Sequence, residues 1–429
     1  MCFVKACDKI LQVTISLRGE GEDSYMALIV QKFGGSSVAD ADCIRRVAQI
    51  IAGKYKEGND MVVVLSAQGD TTDHLLEKAA EINPRASKRE LDMLVSTGEQ
   101  ISVSLMAMCL EAMGVPAVSL TGWQIGMKTN SEYTSARIKS VDDQRIKKEL
   151  GRNRVVLVAG FQGINRSDDI TTLGRGGSDT TAVAIAAALH ADKCQIFTDV
   201  DGIYTADPRK VKYARKLEEI TYAEMLELAS LGAQVLHNRS VELAKKYHVP
   251  LEVLSSFKNK PGTMVKEVVK NVEQLEIAGI AKDTETVLFA LTGLRDEPGK
   301  AFQVFRLLGA NKVNVDIILQ SIGRGSAKDI SFTVPRVDMD KTKEVLEGAK
   351  TSIGYEQIEV DNNVAKVSIV GAGMIGTTGV AARMFEALAE ANININMIST
   401  SEINISVLVK EDEADRAMNV IHDKFFGQA

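Results

Sequence analysis

Met26-Ala27-Leu28-Ile29-Val30-Gln31-Lys32-Phe33-Gly34-Gly35-Ser36-Ser37 is the stretch from which the fold is read. Its first residues form the start of a first β-strand, and Ala39 to Tyr55 carry a helical pattern directly after it. A glycine pair between a strand and a helix lets backbone N–H groups approach a phosphate with no Cβ in the way. Lys32 adds a compact positive charge at the same point. The run is not a Walker A sequence, which needs a different spacing of glycine and lysine. Taken alone it is more often the mark of an ordinary turn, so its meaning depends on the residues downstream.

Beyond it, apolar strand-like runs alternate with helical patterns as far as Ser256. Met61 to Leu65, Ala117 to Leu120, Val155 to Ala159, Gln195 to Thr198 and Leu251 to Leu254 are the strands, with helices at Glu90 to Met113 and Thr180 to His190 among those between. This predicts an α/β domain over residues 26–262, a three-layer sandwich around a mainly parallel central sheet, closed by the polar turn Lys258-Asn259-Lys260-Pro261-Gly262. A second region begins near Val272 and contains a repeat: Val287 to Ser321 lies over Val367 to Ser401 without a gap. Gly293 matches Gly373, Gly299 matches Gly379, Phe305 matches Phe385, Asn314 matches Asn394 and Ser321 matches Ser401. Two ferredoxin-like βαββαβ units are expected, over residues 272–343 and 354–427.

A chain of 429 residues exceeds one ordinary core, which agrees with this division. The formal net charge of −6 argues against a broad nucleic-acid surface, so any phosphate must be met locally. Five cysteines show no CxxC pairing, and five histidines are scattered, which fits a reducing compartment and gives no zinc site. No apolar run approaches the roughly 20 residues that span a bilayer. Residues 1–25 lack a clear signal-peptide cleavage site and are expected to be a disordered extension, or to stem from an upstream start codon.

Four further runs carry chemistry. Leu173-Gly174-Arg175-Gly176-Gly177-Ser178-Asp179 opens the Ala-rich helix; Ser178 or Asp179 would serve as a cap, while Arg175 is a bidentate carboxylate binder between glycines. Thr198-Asp199-Val200-Asp201-Gly202-Ile203-Tyr204-Thr205-Ala206-Asp207-Pro208-Arg209 follows a strand, where nucleotides bind in open α/β sheets. Its alternating acids lack the full EF-hand spacing, and no protein metal ligand is assigned. Ser66 to Asp73 ends another strand with hydroxyls and a glycine, and Ser96-Thr97-Gly98-Glu99 sets an acid in an apolar helical context.

These five motifs, in their order along the chain, resemble the aspartate kinases of the amino acid kinase superfamily, and the repeats resemble their paired ACT regulatory domains. The resemblance runs from Ala27 to the carboxyl terminus. It implies transfer of the γ-phosphoryl of ATP, with Mg²⁺ carried mainly by the phosphates, onto the side-chain carboxylate of L-aspartate. In that scheme Lys32 neutralises charge and Asp179 orients it, while Phe33, Gly34 and Gly35 contribute to the nucleotide site. Arg175 grips the substrate α-carboxylate, Glu99 faces its α-ammonium, and Ser66, Thr72, Gly176, Gly177 and Ser178 complete the aspartate site. Thr198, Asp199, Tyr204, Asp207, Arg209 and Gln234 fall on the nucleotide side.

Two departures from the family pattern stand out: Ser36 replaces the commoner Thr, and Gln234 replaces a lysine that approaches ATP. In the regulatory half, Asp296, Pro298, Gly299, Asn314, Val315, Asp316, Gln320 and Ser321, with Asn394 and Ile395, match the elements that bind lysine or threonine. The turn Met374 to Gly379 lacks the family's commoner charged sequence. The family also implies an insertion of one ACT unit within the other, a cytoplasmic homo-oligomer assembled through those domains, an internally started regulatory subunit in some members, and no membrane partner. Gly371-Ala372-Gly373-Met374-Ile375-Gly376 formally matches a dinucleotide fingerprint. The matching turn of the first copy lacks it, and too little chain comes after it. An acetylglutamate-type kinase would not combine Glu99, the Arg175 run and two ACT copies; a catalytically silent amino-acid sensor is the alternative that Gln234 raises.

Overall fold

The computed structural model describes residues 26–233, 235–269, 276–321 and 327–427, so the expected extension 1–25 lies outside the described residues. Twelve strands build the first domain: β1 (Leu28–Phe33), β2 (Asp60–Leu65), β3 (Ala117–Leu120), β4 (Lys128–Thr129), β5 (Ile138–Ser140), β6 (Val155–Ala159), β7 (Gln162–Ile164), β8 (Ile170–Thr172), β9 (Lys193–Thr198), β10 (Glu219–Thr221), β11 (Leu251–Ser255) and β12 (Thr263–Lys266). Eight form one sheet in the order β10-β12-β11-β9-β1-β2-β6-β3. Every pairing in it is parallel except β11 against β12. The remaining four make a small sheet, β5-β4-β7-β8.

The central strands read as unbroken apolar runs because both faces are covered. All five residues of β6 are buried, and so are the last five of β2. On one face Val30, Val62, Val64 and Val158 pack with Ala182, Val183 and Ile185 of the helix Gly177–Leu189. On the other, Ile29, Phe33 and Leu65 pack with Val47 and Ile51 of the helix Ala41–Lys56 and with Val103, Met106 and Leu110 of the helix Thr97–Ala112. The sandwich is thus three layers, and the carboxyl ends of β1, β2, β6 and β9 share one edge.

The stretch Lys88–Ala112 does reach the length and apolarity of a membrane span, contrary to the reading that no run approaches one. It is not a single helix. It breaks at Ser96 into Lys88–Val95 and Thr97–Ala112, where the Ser96 carbonyl accepts the Gln162 side-chain amide at 2.8 Å. Val95, Val103, Met106 and Leu110 are buried in the domain, while Met93, Ile101, Leu105 and Met108 are exposed.

The regulatory strands are β13 (Gly279–Asp283), β14 (Thr286–Arg295), β15 (Ile318–Gln320), β16 (Ala327–Pro335), β17 (Gln357–Asp361), β18 (Val364–Val370), β19 (Met397–Thr400) and β20 (Asn404–Lys410). They form two antiparallel sheets, β15-β16-β14-β17 and β13-β18-β20-β19. This redraws the division expected at 272–343 and 354–427. β13 belongs to the second sheet, paired from Gly279↔Val370 to Asp283↔Lys366, while β17 closes the first through Leu288↔Asp361 to Thr292↔Gln357. The first unit therefore spans residues 286–361 and is inserted between β13 and the rest of the second. Periodicity within each repeat cannot reveal this, because the exchanged strands lie outside the aligned copies.

The glycine fingerprint at Gly371 leads into a short turn, Ala372–Met374, and the next helix begins only at Val380. β18 has antiparallel neighbours on both sides, so no parallel βαβ unit exists there to hold a dinucleotide.

Gly371 instead lets the chain entering β13 pack closely on the end of β18, since a Cβ at this residue would lie 2.4 Å from Ile277 Cα and 2.6 Å from the Glu276 carbonyl oxygen. Gly371→Ala is expected to cost about 1–3 kcal/mol by overpacking. Hydrogen exchange locates the loss: amides of Gly279–Asp283 lose protection while those of the inserted unit keep theirs. Uniform loss across both units would contradict the inserted topology as the origin.

Candidate active site

A cleft of about 340 Å³ opens at the carboxyl edge of the central sheet. Lys32 reaches it from β1 because strand alternation sends Ile29 and Phe33 into one core layer and Val30 into the other, leaving Lys32 over the end of the helix Gly177–Leu189. Its ammonium lies 2.6 Å from Asp179 Oδ1, with both side chains only 12–13% exposed. Gly34 and Gly35 line the cleft beside it. Phe33 does not: its side chain is fully buried and stacks on Phe197 with centroids 4.4 Å apart, so its assignment to the nucleotide site is corrected to the core.

The run Leu173–Asp179 forms the opposite wall. Neither Ser178 nor Asp179 caps the helix; the cap position is Gly176, in the left-handed region at φ +68°, with no side-chain hydrogen bond. A Cβ at Gly176 would also fall 2.3 Å from His237 Cγ. The amides of Ser178 and Asp179 meet no acceptor among the described residues, so the helix end presents free donors and a partial positive charge to the cleft. Arg175 is exposed on the rim and has no side-chain hydrogen bond or ion pair among the described residues.

Glu99 closes the floor. It is 3% exposed, and its Oε1 accepts the Ala67 N–H at 3.2 Å while Oε2 has no partner among the described residues. Burial pushes its carboxyl up to about 8, against the partial relief of that hydrogen bond. A buried carboxyl lining a cavity with one oxygen unpartnered has room there for a polar partner. Ser66 and Thr72 line the same space, as do Gly177 and Ser178. The cleft thus holds a paired cation, an exposed guanidinium and a buried acid around one small-molecule volume.

Two residues the sequence reading missed hold this wall in place. Asp92 is fully buried and accepts from the Thr134 and Thr172 amides, both at 2.9 Å, and from Thr172 Oγ1 at 2.7 Å. Arg239 donates to the carbonyls of Leu173 at 2.6 Å and Ala136 at 2.9 Å. Together they pin the chain immediately before Arg175. The available signal for Asp92 was a lone acid in the run Leu91 to Val95, whose bonding partners lie about 40 and 80 residues away in sequence.

A second pocket of about 430 Å³ opens at the end of β9, next to β1 in the sheet. Thr198, Asp199, Tyr204, Asp207 and Arg209 all line it, as the sequence reading expected of one loop. Asp207 accepts from Arg209 Nη2 at 3.0 Å, and Tyr204 donates to Asp201 at 2.8 Å, so the loop is internally braced. Gln234 lies outside the described residues; its neighbours Ala233 and Val235 line the pocket. Ile280, Lys282 and Met418 complete the wall from the second regulatory unit.

The ten expected effector residues fall at turns and edges of the two units. Asp296 pairs with Lys328 at 2.7 Å, Gly299 sits at the amino end of the helix Lys300–Ala310 beside Pro298, and Gln320 is exposed on the edge strand β15. Ser321 Oγ accepts the Asp329 amide at 2.9 Å. Asn314 and Asn394 are exposed in equivalent loops, while Val315 and Ile395 pack partly into their own cores. Asp316 is engaged within the chain by the buried Lys366 of β18. Among the described residues no group of three or more His, Cys, Asp or Glu side chains could hold a metal ion.

Comparison with known proteins accords with this geometry. The amino acid kinase family model matches residues 27–255, and an ACT domain model matches residues 290–349 and 367–425. An aspartokinase of Mycolicibacterium smegmatis is 50% identical over 405 residues, covering 93% of this chain and 96% of its own. An aspartate kinase of Pseudomonas putida is 50% identical over 401 residues, covering 93% and 98%. Among solved structures, E. coli aspartokinase III in complex with aspartate and ADP in the R-state has a TM-score of 0.78 at 28% identity, over 93% of this chain and 100% of its own. The same enzyme in complex with lysine and aspartate in the T-state has a TM-score of 0.72 at 28% identity, over 93% and 99%.

Proposed function

We propose residue roles from the premise that this chain belongs to the aspartate kinases, the ATP-dependent phosphotransferases of the amino acid kinase family that carry ACT domains. The reaction moves the γ-phosphoryl of ATP to the side-chain carboxylate of L-aspartate, giving ADP and 4-phospho-L-aspartate. The nucleophile is already ionised at neutral pH, so no strong general base is needed. Positioning and charge neutralisation supply the rate.

Lys32 is placed to neutralise the charge that accumulates between the transferring phosphoryl group and the attacking carboxylate. Asp179, at 2.6 Å, keeps that ammonium charged and aimed. Gly34, Gly35 and the free amides of Ser178 and Asp179 offer backbone donors to phosphate oxygens. A Mg²⁺ ion, carried mainly by phosphate oxygens rather than by a protein ligand, would supply further neutralisation of phosphate charge. Arg175 grips the α-carboxylate of aspartate, and Glu99 receives its α-ammonium, with Ser66 and Thr72 in reach. The observation that carries this reading is the half-satisfied Glu99 buried in the same cleft as Lys32 and Arg175, because an acceptor that is only a carboxylate needs no buried acid. ATP lies with its phosphates at Lys32 and its base in the pocket of Tyr204, Asp207 and Arg209.

The regulatory half supports feedback by lysine, threonine or both, in an enzyme that opens the synthesis of lysine, threonine, methionine and diaminopimelate. E. coli aspartokinase III has been solved with lysine bound, which favours lysine as one effector. The chain then acts in the cytoplasm as a homo-oligomer joined through its ACT units, with an internally started regulatory chain as a further partner. The silent-sensor alternative is disfavoured by the complete Lys32, Asp179, Glu99 and Arg175 set.

ATP-dependent aspartyl hydroxamate formation is the direct assay, and Lys32→Ala is expected to lower kcat by about 100-fold or more. Absence of activity in the unmodified protein would overturn the role assignment. Glu99 gives a pH signature. Below about 8 its carboxyl is protonated in the free enzyme and must lose that proton to receive an ammonium. The aspartate KM should therefore fall as pH rises from about 6.5 to about 8.5, by at most about tenfold per unit, and Glu99→Gln should flatten the profile at a high KM. A flat profile in the unmodified enzyme excludes this role. For regulation, lysine and threonine are tested singly and together; rates unchanged at millimolar effector sink the feedback reading.

A further inference from the structure

The helix Ala414–Phe426 ends the second regulatory unit and carries His422 with no exposed surface at all. The ring lies against Phe426, centroids 4.7 Å apart, and Nε2 is 2.9 Å from Thr205 Oγ1. Nδ1 has no partner among the described residues. A leucine would fill this volume without leaving a polar atom unpaired. Keeping a histidine here makes sense through the one bond it forms.

Thr205 is the hub of the loop that lines the second pocket. Its N–H donates to the Arg215 carbonyl at 2.9 Å, its carbonyl accepts the Ile280 amide at 2.7 Å, and its Oγ1 accepts the Arg215 amide at 2.9 Å. Tyr204 precedes it, and Asp207 and Arg209 come after it. The same helix grips the loop beyond them: Asp415 pairs with Lys210 at 2.9 Å, Asn419 donates to the Lys210 carbonyl at 3.0 Å, and the Phe426 carbonyl accepts from Arg215 at 2.9 Å. Ala206 and Val211 are buried in the core of the regulatory unit itself.

We propose that His422 is a positioning residue for phosphoryl transfer: by holding Thr205 from the regulatory unit, it fixes the loop that presents Tyr204, Asp207 and Arg209 to the nucleotide. This rests on reading the second pocket as the ATP site. The bond also makes nucleotide affinity acid-sensitive. The charged groups acting on the ring are Arg215, across the interface on the loop, and Asp423 on its own helix; burial, opposed by Asp423 and reinforced by Arg215, holds the imidazole below its ordinary 6.5. The folded ring thus binds fewer protons than the free one, and the contact is stable above that pH and weakened as pH falls below it.

Steady-state kinetics of the full-length enzyme test this. His422→Ala should raise the ATP KM about fivefold or more, the cost of losing the hydrogen bond that holds Thr205, and leave the aspartate KM within about twofold. His422→Gln, whose amide can still meet Thr205, should restore the ATP KM and remove its rise in acid. If His422→Ala does not fold, Thr205→Val gives the same readout with the ring retained. An unchanged ATP KM in a folded variant, or ATP and aspartate KM values that rise together, overturns the proposal. Arg209→Ala separates the two readings. If it leaves the ATP KM unchanged, the pocket assignment falls and this proposal with it; if it raises the ATP KM while His422→Ala does not, this proposal alone falls.

Discussion

The ion pair between Lys32 and Asp179 is the constraint around which the catalytic half is arranged. An ammonium that is 12% exposed and a carboxylate that is 13% exposed each require the other, because either alone would carry an uncompensated desolvation cost of several kcal/mol. Their carriers, β1 and the helix Gly177–Leu189, are separated by more than 140 residues yet share one core layer through Val30, Ala182 and Val183. Packing therefore brings the charges together, and the pair in turn fixes how the helix end sits over the strand end. The free amides of Ser178 and Asp179 are aimed by the same contact that aims Lys32.

Glu99 is the complementary case, a charge the fold has not paired. Between its ordinary 4.5 and its folded value near 8, the buried carboxyl holds a proton that the unfolded chain releases. Ionisation inside the cleft thus costs stability over that range, and a bound ammonium offsets the cost. On the proposed role this favours an amino acid, since a substrate lacking the ammonium would leave the acid protonated and its Oε2 without a partner. Asp92 shows the opposite solution a few residues away, where three donors satisfy a fully buried carboxylate and the role becomes structural.

Whether such a feature is legible in the sequence depends on the range over which it acts. Lys32, Arg175 and the Thr198–Arg209 loop were readable because each sits within a few residues of a strand or helix end, where local pattern reports position. Phe33 was misread for the same reason: adjacency to Gly34 suggested the nucleotide, whereas strand alternation turns the ring into the core against Phe197. Asp92 and Arg239 act on Thr134, Ala136, Thr172 and Leu173, partners that no local spacing announces. The repeat exposed two regulatory units, and the resemblance implied that one is inserted in the other, but which strands exchange is shown only by the pairing of β13 and β17, which lie outside the aligned copies.

That inserted path explains why the two halves cannot be treated as separate bodies. β13 enters the second regulatory sheet, yet Ala281 from it, Ala278 just before it and Val370 of β18 lie in the same core as the catalytic strands. In the other direction, Ala206 and Val211 of the segment after β9 lie in the regulatory core with Ile280, Val367 and Ile421. Close-packed interiors respond to displacement by shifting as units rather than by deforming smoothly. A movement of the second sheet would therefore be felt by the segment after β9 through the side chains the two cores share. The first unit is tied in as well, since Asp316 in its exposed loop is held by Lys366 in the adjoining β18. A ligand that competes for Asp316 would act on the strand that also carries Val370 into the catalytic core.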